Sequence, residues 1–128
     1  MYTHVHPSCV WHAHTQVLGI ADPASVLKGV PLGVDTFDSC FPTRVGRHGT
    51  LLTRDGPLNL KSASYRRDFG PVDPRMPHTL PGEVSRAYLH HLFRMKEPLY
   101  ATLASMHNVA HMTTLMAELR QAILADEL

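Results

Sequence analysis

Residues 15–37 constrain the fold of this chain more than any other segment. Residues 15–20 (TQVLGI) predict a short buried strand, and residues 34–37 predict a second strand. Between them, Asp22 is a favoured helix N-cap and Pro23 stands at the first helical position, while Pro31 and Gly33 end the helix. A strand, a capped helix and another strand are typical of the βαβ unit of a parallel sheet, so this segment predicts an α/β fold.

The overall composition narrows the class of protein. With 128 residues the chain suits one domain. A formal net charge of +1, from 12 Lys+Arg and 11 Asp+Glu, argues against a strongly basic nucleic-acid coat but leaves room for a local basic patch. Cys9 and Cys40 make no disulfide framework, and no signal peptide or membrane span is visible. We therefore expect a cytoplasmic protein with no membrane partner.

The middle of the chain predicts loops and a hairpin. Residues 41–49 combine two glycines with basic side chains and predict a loop that carries Arg44 and Arg47. Residues 51–61 predict a β-hairpin, because two short strands flank the turn dipeptide Asp55-Gly56. Residues 70–82 contain four prolines and predict a second loop.

The last third of the chain has helical periodicity. One helix is predicted from Ser85, and a helical segment from Pro98 is followed by a stronger one. The apolar positions that share a face are Ala87, Tyr88, Leu92 and Met95 in the first helix, and Val109, Met112, Leu115, Met116, Leu119 and Ile123 in the last. The last stripe fits either an intramolecular core or a face that meets a partner subunit.

Asp38 is the sharpest candidate for chemistry. It follows a predicted strand and precedes the segment that carries Arg44 and Arg47. Side chains at the carboxyl end of a parallel strand face the crevice in which α/β active sites form. A carboxylate there can attack a sugar carbon, and guanidinium groups bind phosphates or guanine edges. The alternative is a loop-capping aspartate beside solvated arginines.

Several motifs in a fixed order point to a family. They are GVDTFD at 33–38, PTR at 42–44, RHG at 47–49, LLTRDG at 51–56, SRAYLHHL at 85–92 and HN at 107–108. From about Val17 to Leu128 the chain resembles the tRNA-guanine transglycosylases, also called queuine tRNA-ribosyltransferases. The resemblance covers only the C-terminal part of that family. It implies an α/β fragment of a (β/α)₈ TIM-type barrel, namely its last two βα units, with a β-hairpin insertion and a helical C-terminal subdomain. Residues 15–128 form this domain, and the His-rich residues 1–14 stay unassigned.

The resemblance implies exchange of guanine at the tRNA wobble position for queuine or its precursor, through a covalent aspartyl-ribose intermediate. Asp38 matches the nucleophile, and Asp35 matches a second carboxylate that points to the other side of a regular strand. Leu18 and Gly19 match the base pocket, although Leu18 also suits a core strand. The positions that match RNA-contacting stretches are Gly19, Ile20, Ala21, Asp22, Pro23, Ala24, Ser25, Thr43, Arg44, Val45, Gly46 and Arg47.

Metal binding is where the chain departs from the family. The resemblance implies a structural zinc held by three cysteines and a histidine, but the cysteine positions hold Met76, His78 and Pro81. Only His107 is kept, with His78 as a weaker substitute, so we predict no zinc here and no other cofactor. The pairs His4/His6 and His12/His14 suit a transition metal by residue type, and a terminus without a site is the alternative.

The implied partners are tRNA and a deazaguanine base, together with an N-terminal half or a dimer partner that would complete the site. The isolated chain is expected to be catalytically incomplete. Two alternatives stay open: a non-catalytic tRNA-binding or subunit-interface module, and a decayed gene fragment.

Overall fold

The computed structural model describes residues 14–80 and 84–127. Within these ranges, four strands, four α-helices and two 3₁₀ turns follow one another. In order they are β1 (Gln16–Leu18), α1 (Pro23–Gly29), a 3₁₀ turn (Val30–Leu32), β2 (Thr36–Asp38), α2 (Phe41–Arg47), β3 (Thr50–Thr53), β4 (Gly56–Asn59), a 3₁₀ turn (Ala63–Arg67), α3 (Arg86–Arg94) and α4 (Pro98–Leu124). His4, His6, Cys9, His12 and Pro81 lie outside the described residues.

The predicted βαβ unit is confirmed. Strands β1 and β2 pair in parallel, with Leu18 opposite Asp38. Helix α1 begins as expected, because Asp22 Oδ1 accepts the Ser25 N–H at 3.0 Å and Pro23 occupies the first turn. These hydrogen bonds from Ser25 lower the pKa of Asp22 below its usual value. Gly33, with φ of +84°, then ends the 3₁₀ turn in a left-handed conformation.

The prediction that β1 is a buried strand is wrong. In both strands the middle residue, Val17 or Phe37, is half-buried and its neighbours are exposed. Phe37 packs toward α1, since a Cβ added at Gly29 would lie 2.9 Å from the Phe37 ring. The opposite face, which includes Leu18 at 69% exposure, has no cover among the described residues. The sequence of residues 15–20 therefore marks the strand without showing that both of its faces are covered.

Residues 41–47 form helix α2, so the predicted loop is wrong at this point. Pro42 lies in the first helical turn, where a missing backbone N–H costs nothing. Gly46 allows α2 to lie against α4, because a Cβ at this position would sit 3.2 Å from the backbone C and O of Ala104. The Tyr100 hydroxyl donates to the Gly46 carbonyl at 2.8 Å. A glycine that suggests a loop in the sequence is here a packing glycine.

Strands β3 and β4 form an antiparallel hairpin whose turn comes one residue earlier than expected. Thr53 pairs with Gly56, so Arg54 and Asp55 are the two turn residues. Gly56 takes a φ of +113° and begins β4. Successive residues of β3 serve two clusters of core side chains, since Leu51 packs in one and Leu52 in the other.

The first cluster joins the hairpin to α3 and the start of α4. The Ser85 hydroxyl caps α3 by accepting the Tyr88 N–H at 3.1 Å. Of the predicted apolar face of α3, Ala87 and Leu92 are buried as expected, but the prediction is wrong for Tyr88 and Met95, which are exposed. Leu89, which was not predicted, is fully buried. The cluster consists of Leu51, Leu58, Leu60, Val72, Leu89, Leu92, Tyr100, Leu103 and Ala104. The position of Leu60 and α4 decides which side of α3 is buried.

The second cluster packs α4 on α1 and β3. Helix α4 is one continuous helix of 27 residues, not two segments. Met112 and Leu119 are buried with Val26 and Leu52, so this part of the α4 stripe belongs to the intramolecular core and is not free to meet a partner. Among the helices in the described ranges, none is long and apolar enough to cross a membrane.

Candidate functional site

Asp38 ends β2 and is exposed at the carboxyl edge of the parallel strand pair. Its register partner is Leu18, and the backbone N–H of Gly19 donates to the Asp38 carbonyl at 2.7 Å. Register partners in parallel strands project to the same face, so Leu18 and Asp38 share the uncovered face of the sheet. Within residues 14–80 and 84–127, no hydrogen bond or ion pair engages the Asp38 carboxylate. The group is therefore free to meet a ligand.

Asp35, the second candidate carboxylate, has a structural contact instead. Its Oδ2 accepts the backbone N–H of Thr15 at 2.7 Å, which fixes the start of β1 against β2. A separation of three residues places it on the opposite side of an extended strand from Asp38. The two carboxylates therefore differ in surroundings as well as in direction.

Helix α2 begins three residues after Asp38 and carries the predicted RNA-contacting residues 43–47. Arg44 and Arg47 are exposed in its last turn, and no ion pair engages either within the described residues. Their spacing of three places them on one side of the helix. The Thr43 hydroxyl donates to the Cys40 carbonyl at 3.1 Å. Val45 is half-buried and Gly46 is buried, so the arginines are the accessible groups of this stretch.

The other predicted RNA-contacting stretch, residues 19–25, divides into accessible and structural positions. Gly19, with φ of +80°, and Ile20 are exposed beside the end of β2, and Ala24 is exposed in α1. Ala21 is buried, and Asp22 is the helix cap. Pro23 and Ser25 are half-buried in the first turn of α1. Only part of the stretch can therefore touch a ligand directly.

The residues at the expected zinc position do not fit a closed metal site. His107 is fully buried, and both of its ring nitrogens are engaged: Nε2 donates to the Leu52 carbonyl at 2.8 Å, and Nδ1 bonds the Thr79 hydroxyl at 2.7 Å. Met76 offers a buried thioether, and His78 is exposed. Residues 14–80 and 84–127 contain no group of three or more His, Cys, Asp or Glu side chains that could hold a metal ion. Hydrogen bonds to His107 stand where thiolate ligands would be needed.

Burial lowers the pKa of His107 below its usual value, and it also lowers that of His111 one turn further along α4. A neutral His107 with its proton on Nε2 accepts a hydrogen bond at Nδ1 from the Thr79 hydroxyl, which also lies 3.1 Å from the Met76 carbonyl. In this state the ring joins the loop that carries Thr79 to strand β3. This role of His107 has no local signal in the sequence, because its partners lie 28 and 55 residues away.

Asn108, the second residue of the HN motif at 107–108, has a structural role as well. It is fully buried, and its side chain makes three hydrogen bonds to backbone groups of other elements. No periodic pattern in the sequence predicts that an amide and the histidine before it are both buried. The only sequence signal is the dipeptide His107-Asn108 at a helical position.

The fold and these residues define an α/β protein with an exposed carboxylate at the carboxyl edge of a parallel strand pair. A family model described as Queuine tRNA-ribosyltransferase matches residues 1–128, which includes the segment 1–14 that the sequence analysis left unassigned. The chain belongs to the queuine tRNA-ribosyltransferase family.

Curated relatives of the same name agree with this assignment. The protein from Chlamydia pneumoniae is 43% identical over 113 residues, which cover 88% of this chain and 30% of the relative. The protein from Lysinibacillus sphaericus is 43% identical over 112 residues, 88% of this chain and 29% of the relative. That from Dehalococcoides mccartyi is 44% identical over 110 residues, 86% of this chain and 28% of the relative. The chain thus spans about 30% of the length of these relatives.

Proposed function

We propose that this chain supplies the nucleophile and an RNA-contacting helix of a tRNA-guanine transglycosylase. The observation that carries the proposal is the free, exposed carboxylate of Asp38, which lies beside exposed Leu18 and just before α2 with its two accessible arginines. Family membership supports the same reaction class. The partner nucleic acid is tRNA, which would place the protein in the cytoplasm.

The proposed chemistry is a double displacement at the ribose C1′ of the wobble guanosine. An Asp38 oxygen attacks C1′, the bond from C1′ to the guanine nitrogen breaks, and its electron pair leaves with guanine, which takes up a proton. A deazaguanine base, queuine or its precursor, then loses a proton and attacks C1′, and the bond between Asp38 and ribose breaks. Two inversions retain the configuration, as in retaining glycosidases.

Helix α2 is proposed to hold the RNA next to this carboxylate. Arg44 and Arg47 project from one side of the helix, and each can bind a phosphate or a guanine edge through two hydrogen bonds. Buried Gly46 keeps that helix close to α4, and so fixes where the two guanidinium groups stand. Leu18, on the same face as Asp38, is proposed to pack against the base ring.

The uncovered face of β1 and β2 is proposed to be the inner face of a TIM-type barrel. The side chains of Val17 in β1 and Phe37 in β2 point to the half-buried face of the strand pair, and the other face is open. A barrel strand alternates in the same way, with one face toward the surrounding helices and the other toward the barrel interior. The remaining strands, most of the base pocket and the group that moves the proton are proposed to lie outside residues 14–127. An N-terminal half or a dimer partner would provide them.

A chimera tests this proposal. Residues 17–128 replace the matching segment of the Chlamydia pneumoniae relative, and the product is assayed for incorporation of radiolabelled guanine into a tRNA that carries guanine at the wobble position. The chain alone is assayed in parallel, and Asp38→Asn is made in both. We expect exchange by the chimera and none by its Asp38→Asn variant, because an amide cannot form the ester to ribose.

Asp35→Asn is the matched control, since it makes the same chemical change three residues away. Its amide oxygen can still accept the Thr15 N–H, so the variant should retain exchange and should still form a denaturation-resistant adduct with tRNA. Exchange that persists in Asp38→Asn, or an adduct that disappears only in Asp35→Asn, would refute the assignment. A folded chimera that binds tRNA but never exchanges guanine would favour the non-catalytic binding module.

A further inference from the structure

The loop between the second 3₁₀ turn and α3 is where the family resemblance would place three zinc-binding cysteines. A closed structural zinc site needs four strong ligands, which are thiolates and imidazoles. Here the neutral thioether of Met76 and the side chain of Pro81 stand at two of the positions, so His78 and His107 would be the only imidazoles left. The loop must therefore be held against its neighbours by other contacts.

His107 has the hydrogen bond of a metal-binding histidine but meets a hydroxyl in place of the metal. Its Nε2 donates to the Leu52 carbonyl at 2.8 Å, and a metal-ligating histidine donates its second ring nitrogen in the same way. The other ring nitrogen, Nδ1, accepts a hydrogen bond from the Thr79 hydroxyl at 2.7 Å. The Thr79 hydroxyl therefore occupies the nitrogen that a metal ligand would use.

A buried carboxylate holds the same loop at a second point. Asp73 is 3% exposed, and its Oδ2 accepts the Arg54 N–H at 2.7 Å, which ties the loop to the turn of the β3–β4 hairpin. Its Oδ1 accepts the Arg75 N–H at 2.9 Å, and its backbone carbonyl accepts the Met76 N–H at 3.1 Å. These two bonds turn the chain back toward Thr79. One aspartate thus fixes both the position of the loop and its local shape.

The start of the loop is attached to α3. The Arg86 guanidinium donates to the Val72 carbonyl at 3.1 Å and to the Asp68 carboxylate at 3.2 Å. Val72 itself packs in the first cluster of core side chains, and Met76 is buried. Hydrogen bonds therefore connect the loop to the hairpin, to α3 and to α4.

We propose that Asp73, Thr79 and His107 form a metal-free clamp, which holds this loop in place of a structural zinc ion. The clamp groups are buried or half-buried, so the loss of one partner leaves another polar atom unpaired in the interior. Folding of the C-terminal part of the chain is then independent of the supply of zinc, and a chelator does not reverse it. The inference concerns folding, and it stands or falls separately from the proposed reaction.

The first test compares the melting temperature of the full chain with and without excess EDTA, followed by circular dichroism. A metal that binds only the folded state would raise the melting temperature, and EDTA would remove that gain. We expect the two melting temperatures to agree within about 1 °C. A larger fall in EDTA would show that a bound metal stabilises the fold, and it would overturn the proposal.

The second test removes the hydroxyl of the clamp. Thr79→Val keeps the shape of the side chain but leaves His107 Nδ1 buried without a partner, so the melting temperature should fall by roughly 5–10 °C in both conditions. Thr79→Ser keeps the hydroxyl and should retain most of the stability. Thr113→Val makes the same change at an exposed position of α4, and it should shift the melting temperature by less than about 2 °C. Equal effects of Thr79→Val and Thr113→Val would overturn the clamp.

The third test introduces the missing thiolates through Met76→Cys/His78→Cys/Pro81→Cys. With Co²⁺ as the probe, this variant should show the absorption of thiolate-bound cobalt, and with Zn²⁺ its melting temperature should become sensitive to EDTA. Once zinc is bound to the variant, adding Thr79→Val should cost little, because the metal takes the place of the hydroxyl on His107. The same cobalt absorption in the parent chain would refute a metal-free clamp. A folded variant that binds no cobalt would contradict the placement of the loop beside His107.

Discussion

Asn108 connects three elements through one buried side chain, and its replacement by aspartate is the sharpest test of the packing described above. Its Oδ1 accepts the Leu52 N–H at 2.9 Å, and its Nδ2 donates to the carbonyls of Pro42 at 2.9 Å and Thr50 at 3.0 Å. The amide therefore holds α2 and β3 against α4. Asn108→Asp keeps the shape and the acceptor but removes both donors.

The expected loss can be worked out from these contacts. Each of the two lost hydrogen bonds contributes about 1 kcal/mol to the free energy of unfolding. The new carboxylate would also face two carbonyl oxygens in a site that is fully buried. Because a buried charge without a partner is costly, the total loss in the free energy of unfolding should be about 3–5 kcal/mol. For a chain of this size the melting temperature should fall by roughly 10–20 °C.

The assay is urea unfolding of the full chain, followed by far-UV circular dichroism. Burial raises the pKa of the introduced carboxyl above its unfolded value, so the folded state binds the proton more tightly. The deficit relative to the parent should therefore be smallest near pH 4, and it should grow as the pH rises through the folded pKa. Asn59→Asp is the control, because its side chain is exposed and only accepts a hydrogen bond from the Lys61 N–H. A loss below about 1 kcal/mol at pH 7, or one that is independent of pH, would refute the reasoning.

Two further predictions concern packing and pH. Gly46→Ala should destabilise the chain by about 1–2 kcal/mol, although alanine has the better helix propensity, because the new Cβ would lie 3.2 Å from the backbone of Ala104. A melting temperature higher than that of the parent chain would contradict this prediction. Burial lowers the pKa of His107 and of His111, so the unfolded state binds protons more readily and stability should fall as the pH drops below about 6.5. The urea midpoints at pH 7.5 and 5.5 should differ by the equivalent of roughly 1–2 kcal/mol in the free energy of unfolding. The variant His107→Gln should reduce this difference. Equal midpoints in the parent chain would contradict the role of the buried histidines.

The parts of the fold that sequence patterns predicted are those set by local chemistry. The Asp22 cap, the proline at the start of α1, the glycine that ends the 3₁₀ turn and the start of α3 next to Ser85 each depend on a few neighbouring residues. The parallel pairing of β1 with β2 follows from the short helical connection between them.

The errors have a shared physical cause, which is packing between distant parts of the chain. Gly46 suggests a loop when only its neighbours are considered, and becomes a helix contact once α4 lies beside it. The α3 face was predicted from periodicity, but Leu60 and α4 determine that Leu89 is buried and Tyr88 is exposed. A spacing of three or four residues marks a helix without showing which side meets the core.

At the candidate site, too, some properties were predictable from the sequence and others depended on tertiary structure. Ordered motifs along the chain were enough to identify the family, to single out Asp38 and to show that cysteines are missing from the expected zinc position. Only the folded chain could show that Asp38 lacks a hydrogen-bonding or ionic partner among the described residues while Asp35 bonds Thr15, and that His107 bonds Leu52 and Thr79. Residue identity and order are properties of the sequence. Access, burial and hydrogen bonding depend on which distant groups the fold brings within a few ångströms, so they are decided by tertiary structure.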